Sequence, residues 1–179
     1  MNTGQMLTTT LAIVLLGTTI ITVNRSSLQH GTILQQTQIG VYGISLATSI
    51  VEEASGRAFD QKTFNSAVAL ASNMSSTLGT ESGETTSPVS TILFNDFDDY
   101  NNLVMPVNVP GVDSFTVKTV VYYVNETAPE AKVAGPTFYK RMDVLVLPSG
   151  LADTSRKQYG LAVGDTIKMS YIFSYFNFR

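Results

Sequence analysis

A dense run of side-chain oxygens near the middle of the chain is the first candidate for chemistry. Five Asp and Asn side chains fall within seven residues: Asn95, Asp96, Asp98, Asp99 and Asn101. Calcium takes about six to eight oxygen ligands, and carboxylates that alternate along a loop can supply them. The segment lacks the glycine and the terminal glutamate of an EF-hand. Two interpretations stay open: a calcium site, or a polar loop whose aspartates cap turns while Phe94, Phe97 and Tyr100 pack inward.

The rest of the sequence offers little for catalysis. Glu52 and Glu53 are adjacent, and adjacent side chains on a helix point about 100° apart, which favours a solvated helix face over a catalytic pair. The chain has no cysteine and one histidine, His30, so thiolate nucleophiles and multi-histidine metal sites are excluded. The sequence shows neither a nucleophile–base pair nor a phosphate-binding loop. We therefore expect no enzyme activity and, calcium apart, no cofactor.

Length and charge limit the remaining function classes. The chain has 179 residues, which is enough for one domain plus an anchor. Its net charge is −3 and only 14% of its residues are charged. This balance lacks the basic surface that nucleic-acid binding needs, so we expect no nucleic-acid partner.

The N-terminal segment predicts a helix of membrane grade. Residues 7–23 carry no charge, and the first charged side chain is that of Arg25. About 17 to 25 mostly apolar residues suffice to cross a bilayer as a helix. Its threonines can return their hydroxyls to the carbonyl one turn back. A cleaved secretory signal would need a basic start and a small-residue cleavage site; neither is present, so we expect residues 1–25 to stay as a membrane or filament-core segment.

Small and hydroxylated residues are patterned on this segment. At about 100° per residue, four of them fall on one side of the helix: Thr8, Ala12, Thr19 and Thr22. Membrane helices that pack tightly against one another use such faces. We therefore favour a helix that packs with other helices over a simple anchor.

The helical pattern continues beyond the apolar segment. Apolar residues recur mostly at three- and four-residue spacing: Leu28, Ile33, Ile39, Tyr42, Leu46, Ile50, Val51 and Ala54. Gly31, Gly40 and Gly43 interrupt the pattern and are the expected places for a bend or a close contact. Ser55-Gly56 predicts the end, with the glycine as a left-handed cap. Residues 5–55 thus predict one helix of about 75 Å, with 26–55 as its amphipathic half.

The remaining chain predicts an irregular region and then a sheet. Residues 56–113 form the irregular region, with a short helix possible in 62–74. Within 114–179, alternating segments predict three antiparallel strands over 114–124, 138–147 and 165–178. Lys140 is placed near or on the face opposite to Met142, Val144 and Val146. The sheet needs a cover, which the amphipathic helix half can supply. The fold class is α+β, with residues 26–179 as the globular domain.

This layout resembles type IV pilins and pseudopilins. Four short motifs, in order, are similar to minor pilins of the mannose-sensitive haemagglutinin type: Glu52-Glu53, Phe59-Asp60, Gly83-Glu84 and the run 94–101, Phe-Asn-Asp-Phe-Asp-Asp-Tyr-Asn. The resemblance covers about residues 5–102. Family members carry a glutamate at the fifth mature position, where this chain has Gln5 if counted from Met1 or Thr9 if counted after Gly4.

The resemblance implies a structural subunit of a type IV pilus-like filament. Its partners would be copies of itself, other pilins and an inner-membrane assembly machinery, and it would move from the inner membrane to the cell surface. The expected assembly residues are Gln5, Thr8, Thr9, Ala12, Gly17, Thr19 and Thr22. Two alternatives stay open: a minor pseudopilin of a type II secretion or pilus machine, and a membrane-anchored calcium-dependent binding module.

Overall fold

One long helix forms the first third of the described chain. The computed structural model describes residues 2–85, 89–148 and 166–178, which divide into two compact units, Met1–Ile39 and Gly40–Arg179. Helix α1 runs over Thr3–Ser55 and remains helical through its internal glycines. The expectation of one helix over residues 5–55 is therefore confirmed.

The N-terminal part of α1, up to Gly31, is not buried in the isolated chain. No residue between positions 2 and 31 is buried. Its threonine hydroxyls bond back to the helix, as the sequence predicted. Representative bonds run from Thr9 to Gln5 O, from Thr19 to Leu15 O and from Thr22 to Thr18 O, each at 2.8 Å. The hydroxyls of these three threonines are therefore not free donors on the helix surface.

The second unit contains the last four turns of α1, whose inner face is apolar. Five buried residues follow helical spacing there: Gly43, Ala47, Ile50, Val51 and Ala54. The helix ends without the expected left-handed glycine, because Gly56 does not adopt a positive φ. Instead, Gly56 N donates to both Glu52 O and Glu53 O at 3.2 Å.

Five antiparallel strands form the sheet of the second unit. They are β1 Val104–Val109, β2 Asp113–Asn125, β3 Ala128–Lys132, β4 Tyr139–Pro148 and β5 Ile167–Ser174. The strand order is β1-β2-β4-β5, with β3 also paired to β2. Long registers run from Phe115↔Pro148 to Tyr123↔Lys140 and from Tyr139↔Ser174 to Val146↔Ile167.

Two strands were not expected from the sequence pattern. β1 lies within 56–113, the region expected to be irregular, and Pro110-Gly111 turns the chain from it into β2. Gly111 has φ 79°, and Val112 N donates to Val109 O at 3.1 Å, as in a type II turn. The short helix considered for 62–74 is not formed; the structure has two 3-10 turns there, Gln61–Thr63 and Ala71–Asn73.

The faces of β4 correct the placement of Lys140. Its buried residues alternate as Lys140, Met142, Val144 and Val146, so the lysine shares the core face with the apolar residues. Side chains two residues apart on a strand point to the same face, and Lys140 has the same parity as Met142. The structural reason for a lysine in this row is a set of buried acceptors, described below.

The end of α1 covers this sheet, as expected. A Cβ added to Gly43 would lie 2.1 Å from Ile167 Cδ1 and 3.8 Å from Val146 Cγ1. Thr48 Oγ1 lies 4.0 Å from Met169 Sδ on β5. Gly43 is therefore a point of close approach between the helix backbone and the sheet.

A leucine at Gly43 should destabilise the second unit, because the added side chain would overlap Ile167. Overpacking of this kind costs about 1–3 kcal/mol, or roughly 2–4 °C in the unfolding midpoint for each kcal/mol. The matched control is Gly40→Leu, where an added Cβ meets nothing within 4 Å. That control should gain slightly from helix propensity. Thermal unfolding of the full chain in detergent, followed by circular dichroism, measures both; equal midpoints for the two variants would contradict the close contact.

Candidate functional site

Asp60 anchors the segment that follows α1. Its carboxylate caps the turn Gln61–Thr63: Lys62 N donates to Oδ1 at 3.1 Å, and Asp60 N donates to Thr63 Oγ1 at 3.0 Å in return. Ser75 donates to the same carboxylate from its hydroxyl at 2.8 Å. One carboxylate thus fixes two loops that are separated along the chain.

Lys140 joins this carboxylate to the acidic run in the core. The side chain is fully buried, and Nζ donates to Phe59 O at 2.7 Å, Asp60 Oδ2 at 2.9 Å and Asp98 Oδ1 at 2.5 Å. An ammonium has three donors, so all are satisfied. The rings of Phe59 and Tyr123 lie 4.6 Å and 5.3 Å from Nζ and add cation–π attraction.

The acidic run folds into a compact turn that its own aspartates stabilise. Asp96 Oδ1 accepts from Asp98 N at 2.9 Å and from Asp99 N at 3.2 Å. Asp99 Oδ2 accepts from Asn95 N at 2.8 Å and from Asp96 N at 3.1 Å. Each of these two carboxylates therefore replaces part of the hydrogen bonding that a short turn cannot provide for itself.

The aromatic residues of the run pack inward. Phe94, Phe97 and Tyr100 are all buried; the Phe94 and Tyr100 rings meet edge to face at 5.0 Å, and Phe97 lies 4.6 Å from Phe173. This is the arrangement of the second interpretation, in which aspartates cap turns and aromatic residues face the core. Asp96, Asp98 and Asp99 point to different partners rather than to one shared point.

A different set of carboxylates converges beside the turn. Glu81, Glu84 and Asp99 each offer an oxygen, and these oxygens lie within 4.8 Å of one another. Glu81 N donates to Glu84 Oε2 at 2.7 Å, and Asn95 Nδ2 donates to Glu84 Oε1. The sequence suggested Asp96, Asp98 and Asp99 as calcium ligands. Of these three aspartates, only Asp99 belongs to the converging set.

Burial and mutual repulsion set the acidities of these groups. Burial pushes the pKa of Asp60 upward, but the charge and hydrogen bond of Lys140, together with hydrogen bonds from Ser75 and Lys62, leave that pKa below 3.8. Burial, together with the charge of Asp60, raises the pKa of Asp98 in spite of the charge and hydrogen bond of Lys140. Burial, followed by the charges of Asp98 and Asp99, raises the pKa of Asp96 to about 8.

Burial is also the largest cause of the raised pKa of Glu81. Together with the hydrogen bond and charge of Glu84, it raises the pKa of Glu81 to about 7. Within the described residues, Lys140 is the one buried cation of the cluster, and its ion pairs are with Asp60 and Asp98. The other carboxylates therefore lack a positive partner of their own.

The expected assembly residues lie elsewhere, on the part of α1 in the Met1–Ile39 unit. Six of them are exposed and one, Gly17, is half-buried: Gln5, Thr8, Thr9, Ala12, Gly17, Thr19 and Thr22. Glu52 and His30 are exposed, and Glu53 lies 3.6 Å from Arg57 across one helical turn. The arrangement of the glutamates agrees with a solvated helix face.

Sequence reasoning missed the centre of the cluster. Neither Asp60 nor Lys140 was singled out for chemistry, and Glu81 was not considered. A usable signal was present for Lys140, because strand alternation places it in a row of buried apolar residues, where a charge requires a partner. No local signal identified Asp60 as that partner, since 80 residues separate the two.

Comparison with protein families, curated proteins and solved structures finds no match to this chain. The order of elements is nevertheless that of an α+β protein, with one long apolar N-terminal helix followed by an antiparallel sheet. This layout is compatible with a pilin-like shape. Helix α1 is long and apolar enough to cross a membrane.

Removing the buried ammonium should strongly destabilise the second unit. Lys140→Met keeps the bulk of the stem but leaves Asp60 and Asp98 buried without their cation, which costs about 3–5 kcal/mol. The matched control is Lys168→Met, since that lysine is 56% exposed and its pair with Asp143 is 3.4 Å long. A surface pair of this kind contributes at most about 1 kcal/mol.

A charge-balanced variant separates electrostatics from packing. The triple change Lys140→Met, Asp60→Asn and Asp98→Asn should recover part of the stability lost in Lys140→Met, because neither residue 60 nor residue 98 then carries a charge that has lost its cation. Unfolding free energies of the four proteins, measured on the full chain in detergent, test this. If Lys140→Met costs no more than Lys168→Met, the buried ion pairs do not support the fold.

Proposed function

We propose that this chain is a structural subunit of a type IV pilus-like extracellular filament and assembles through its N-terminal hydrophobic helix. The observation that carries the proposal is the surface of the Met1–Ile39 unit. Its large apolar side chains are exposed along the helix, for example Leu7 at 74%, Ile13 at 65% and Leu16 at 63%. An apolar surface of this extent requires lipid or another protein surface to cover it.

The helix surface suits both lipid and neighbouring helices. It carries no charge before Arg25, so it needs no counter-charge in either environment. Threonine hydroxyls that bond back to the helix leave no donor that a partner must satisfy. A subunit that waits in the inner membrane and later packs among copies of itself needs such a surface.

Small residues support packing between helices more than simple anchoring. Thr8, Ala12, Thr19 and Thr22 share one side of α1 in a regular helix. A Cβ added at Gly17 would meet nothing within 4 Å inside the chain, so that glycine is not required by the fold of the subunit itself. Close approach of a neighbouring helix gives a reason for a glycine there.

The second unit supplies the rest of what a filament subunit requires. It has its own core of α1 residues and sheet residues, with a buried ion cluster at its centre. In the proposed filament, the first helices form the interior through contacts between copies, and these contacts do not close on themselves. Other pilins and the inner-membrane assembly machinery are the further partners of this proposal.

A minor pseudopilin has the same anatomy and differs in copy number. Electron microscopy and peptide analysis of sheared cell-surface material distinguish the two. The main-subunit proposal expects this chain to be the dominant component of visible filaments. Detection at a few copies for each filament would favour the minor role.

Bulky substitutions on the assembly helix should impair filament formation without harming the subunit. Thr19→Leu and Gly17→Leu both thicken the helix, and neither side chain is packed within the chain. Each should reduce surface filament yield at least several-fold at equal subunit level. Ile20→Leu is the volume-conserving control and should assemble normally. Immunoblots of sheared filaments against total subunit measure the yield.

The same assay tests the N-terminal polar position. Gln5→Ala removes one hydrogen-bonding group but leaves no buried charge unpaired, so filaments should still form. If Gln5→Ala abolishes filaments while both leucine variants assemble normally, a polar contact at the N-terminus governs assembly and the packing account is wrong.

A further inference from the structure

The buried carboxylates of the second unit outnumber the buried cations among the described residues. Lys140 pairs with Asp60 and Asp98. No lysine or arginine of the described ranges forms an ion pair with Glu81, Glu84 or Asp99. Buried carboxylates in proteins are paired, protonated or bound to metal ions. Asp96 also has no ion pair within these ranges, but Glu81, Glu84 and Asp99 are the residues whose oxygens converge within 4.8 Å.

The most buried of the three has an oxygen with no partner. Asp99 is 1% exposed, and its Oδ2 accepts from the N–H groups of Asn95 and Asp96. Its other oxygen, Oδ1, is buried and accepts no hydrogen bond. An acceptor held away from water without a donor is rare in folded proteins and calls for an unseen partner.

Two neighbouring side chains, those of Asn95 and Glu81, also have a buried oxygen without a hydrogen-bond donor. Asn95 directs Nδ2 at Glu84 Oε1, and its Oδ1 is buried without a donor. Glu81 Oε2 is likewise buried without a donor, although its residue is only half-buried. Three unsatisfied oxygens from three side chains therefore occur around one set of carboxylates. A single cation can satisfy several oxygens at once, whereas a proton joins only two.

We propose that Glu81, Glu84 and Asp99, together with the side-chain carbonyl of Asn95, bind a calcium ion. The candidate ligands are all oxygens, which calcium prefers and which disfavour zinc or copper. Three carboxylates and one amide carbonyl provide at least four ligand oxygens, and water can complete the shell on the exposed side of Glu81. Magnesium requires a stricter octahedral arrangement of ligands, which a set drawn from two loops fits less well.

The proposed site meets solvent at Glu81, which is half-buried. Asp99 also lines a cavity of about 270 Å³ together with Thr80 and Phe94, whereas Glu81, Glu84 and Asn95 do not line it. An ion there would join the segment around Glu81 and Glu84 to the aspartate turn. The direct links between these two segments also include Asn101 Nδ2 to Leu78 O at 3.0 Å. Calcium would therefore hold a loop to the core of the unit, whether or not the protein forms filaments.

Calcium titration of the full chain in detergent, after removal of metal with a chelator, tests the proposal. Wild type should bind about one calcium per chain with a Kd of roughly 10⁻⁵–10⁻³ M, and calcium should raise its unfolding midpoint. Glu81→Gln keeps the size of a half-buried side chain and should weaken binding at least tenfold. Glu52→Gln, an exposed glutamate on α1, is the matched control and should bind as wild type does.

Three outcomes would overturn the assignment. The first is folded wild type that shows neither heat nor a midpoint shift at about 10 mM calcium. The second is equal calcium affinity in Glu81→Gln and Glu52→Gln. The third is magnesium binding as tight as calcium binding. Circular dichroism of Glu81→Gln must match wild type, and Asp99→Asn, which can still accept the two N–H bonds, gives an independent second variant.

Discussion

The buried ammonium of Lys140 is the interaction on which the second unit depends. Its three hydrogen bonds reach the carbonyl of Phe59, the carboxylate of Asp60 and the carboxylate of Asp98. Phe59 and Asp60 lie in the segment after α1, Asp98 lies in the aspartate turn and Lys140 lies in strand β4, so the interaction joins three elements. The three elements have few local reasons to meet, and the charge makes their separation costly, because each carboxylate would then remain buried alone. The cluster therefore defines where the irregular region attaches to the sheet.

The same cluster has more negative charge than its lysine can balance. Lys140 lowers the pKa of Asp60, but the pKa of Asp98 is still raised above its ordinary value. The pKa of Asp96 is raised to about 8. The protein meets part of this excess with backbone N–H groups, which Asp96 and Asp99 accept at the turn. Glu81, Glu84 and Asp99 form no ion pair with a lysine or arginine of the described residues. Because their oxygens converge, one divalent cation could contact all three carboxylates.

The first unit obeys a different constraint: residues 3–24 of its helix carry no charge, and threonine hydroxyls there bond back to the helix. Its threonine hydroxyls donate to carbonyls one turn back in the same helix, so they need no partner from an apolar environment. The apolar side chains remain exposed in the single chain. This helix segment leaves a large apolar surface uncovered, which is the property that the proposed filament uses.

The sequence by itself determined the elements whose signals are local. The uncharged run before Arg25, the apolar spacing up to Ala54 and the alternation in β2, β4 and β5 correctly predicted one long helix, an antiparallel sheet and an α+β fold. The inward packing of Phe94, Phe97 and Tyr100 was also available as one of two interpretations. Only the tertiary structure decided which charges meet. Lys140 finds Asp60 across 80 residues, and Glu81 meets Asp99 across two loops. Periodicity reports the face on which a side chain lies, whereas the partner of a buried charge depends on how distant loops close, which no local pattern encodes.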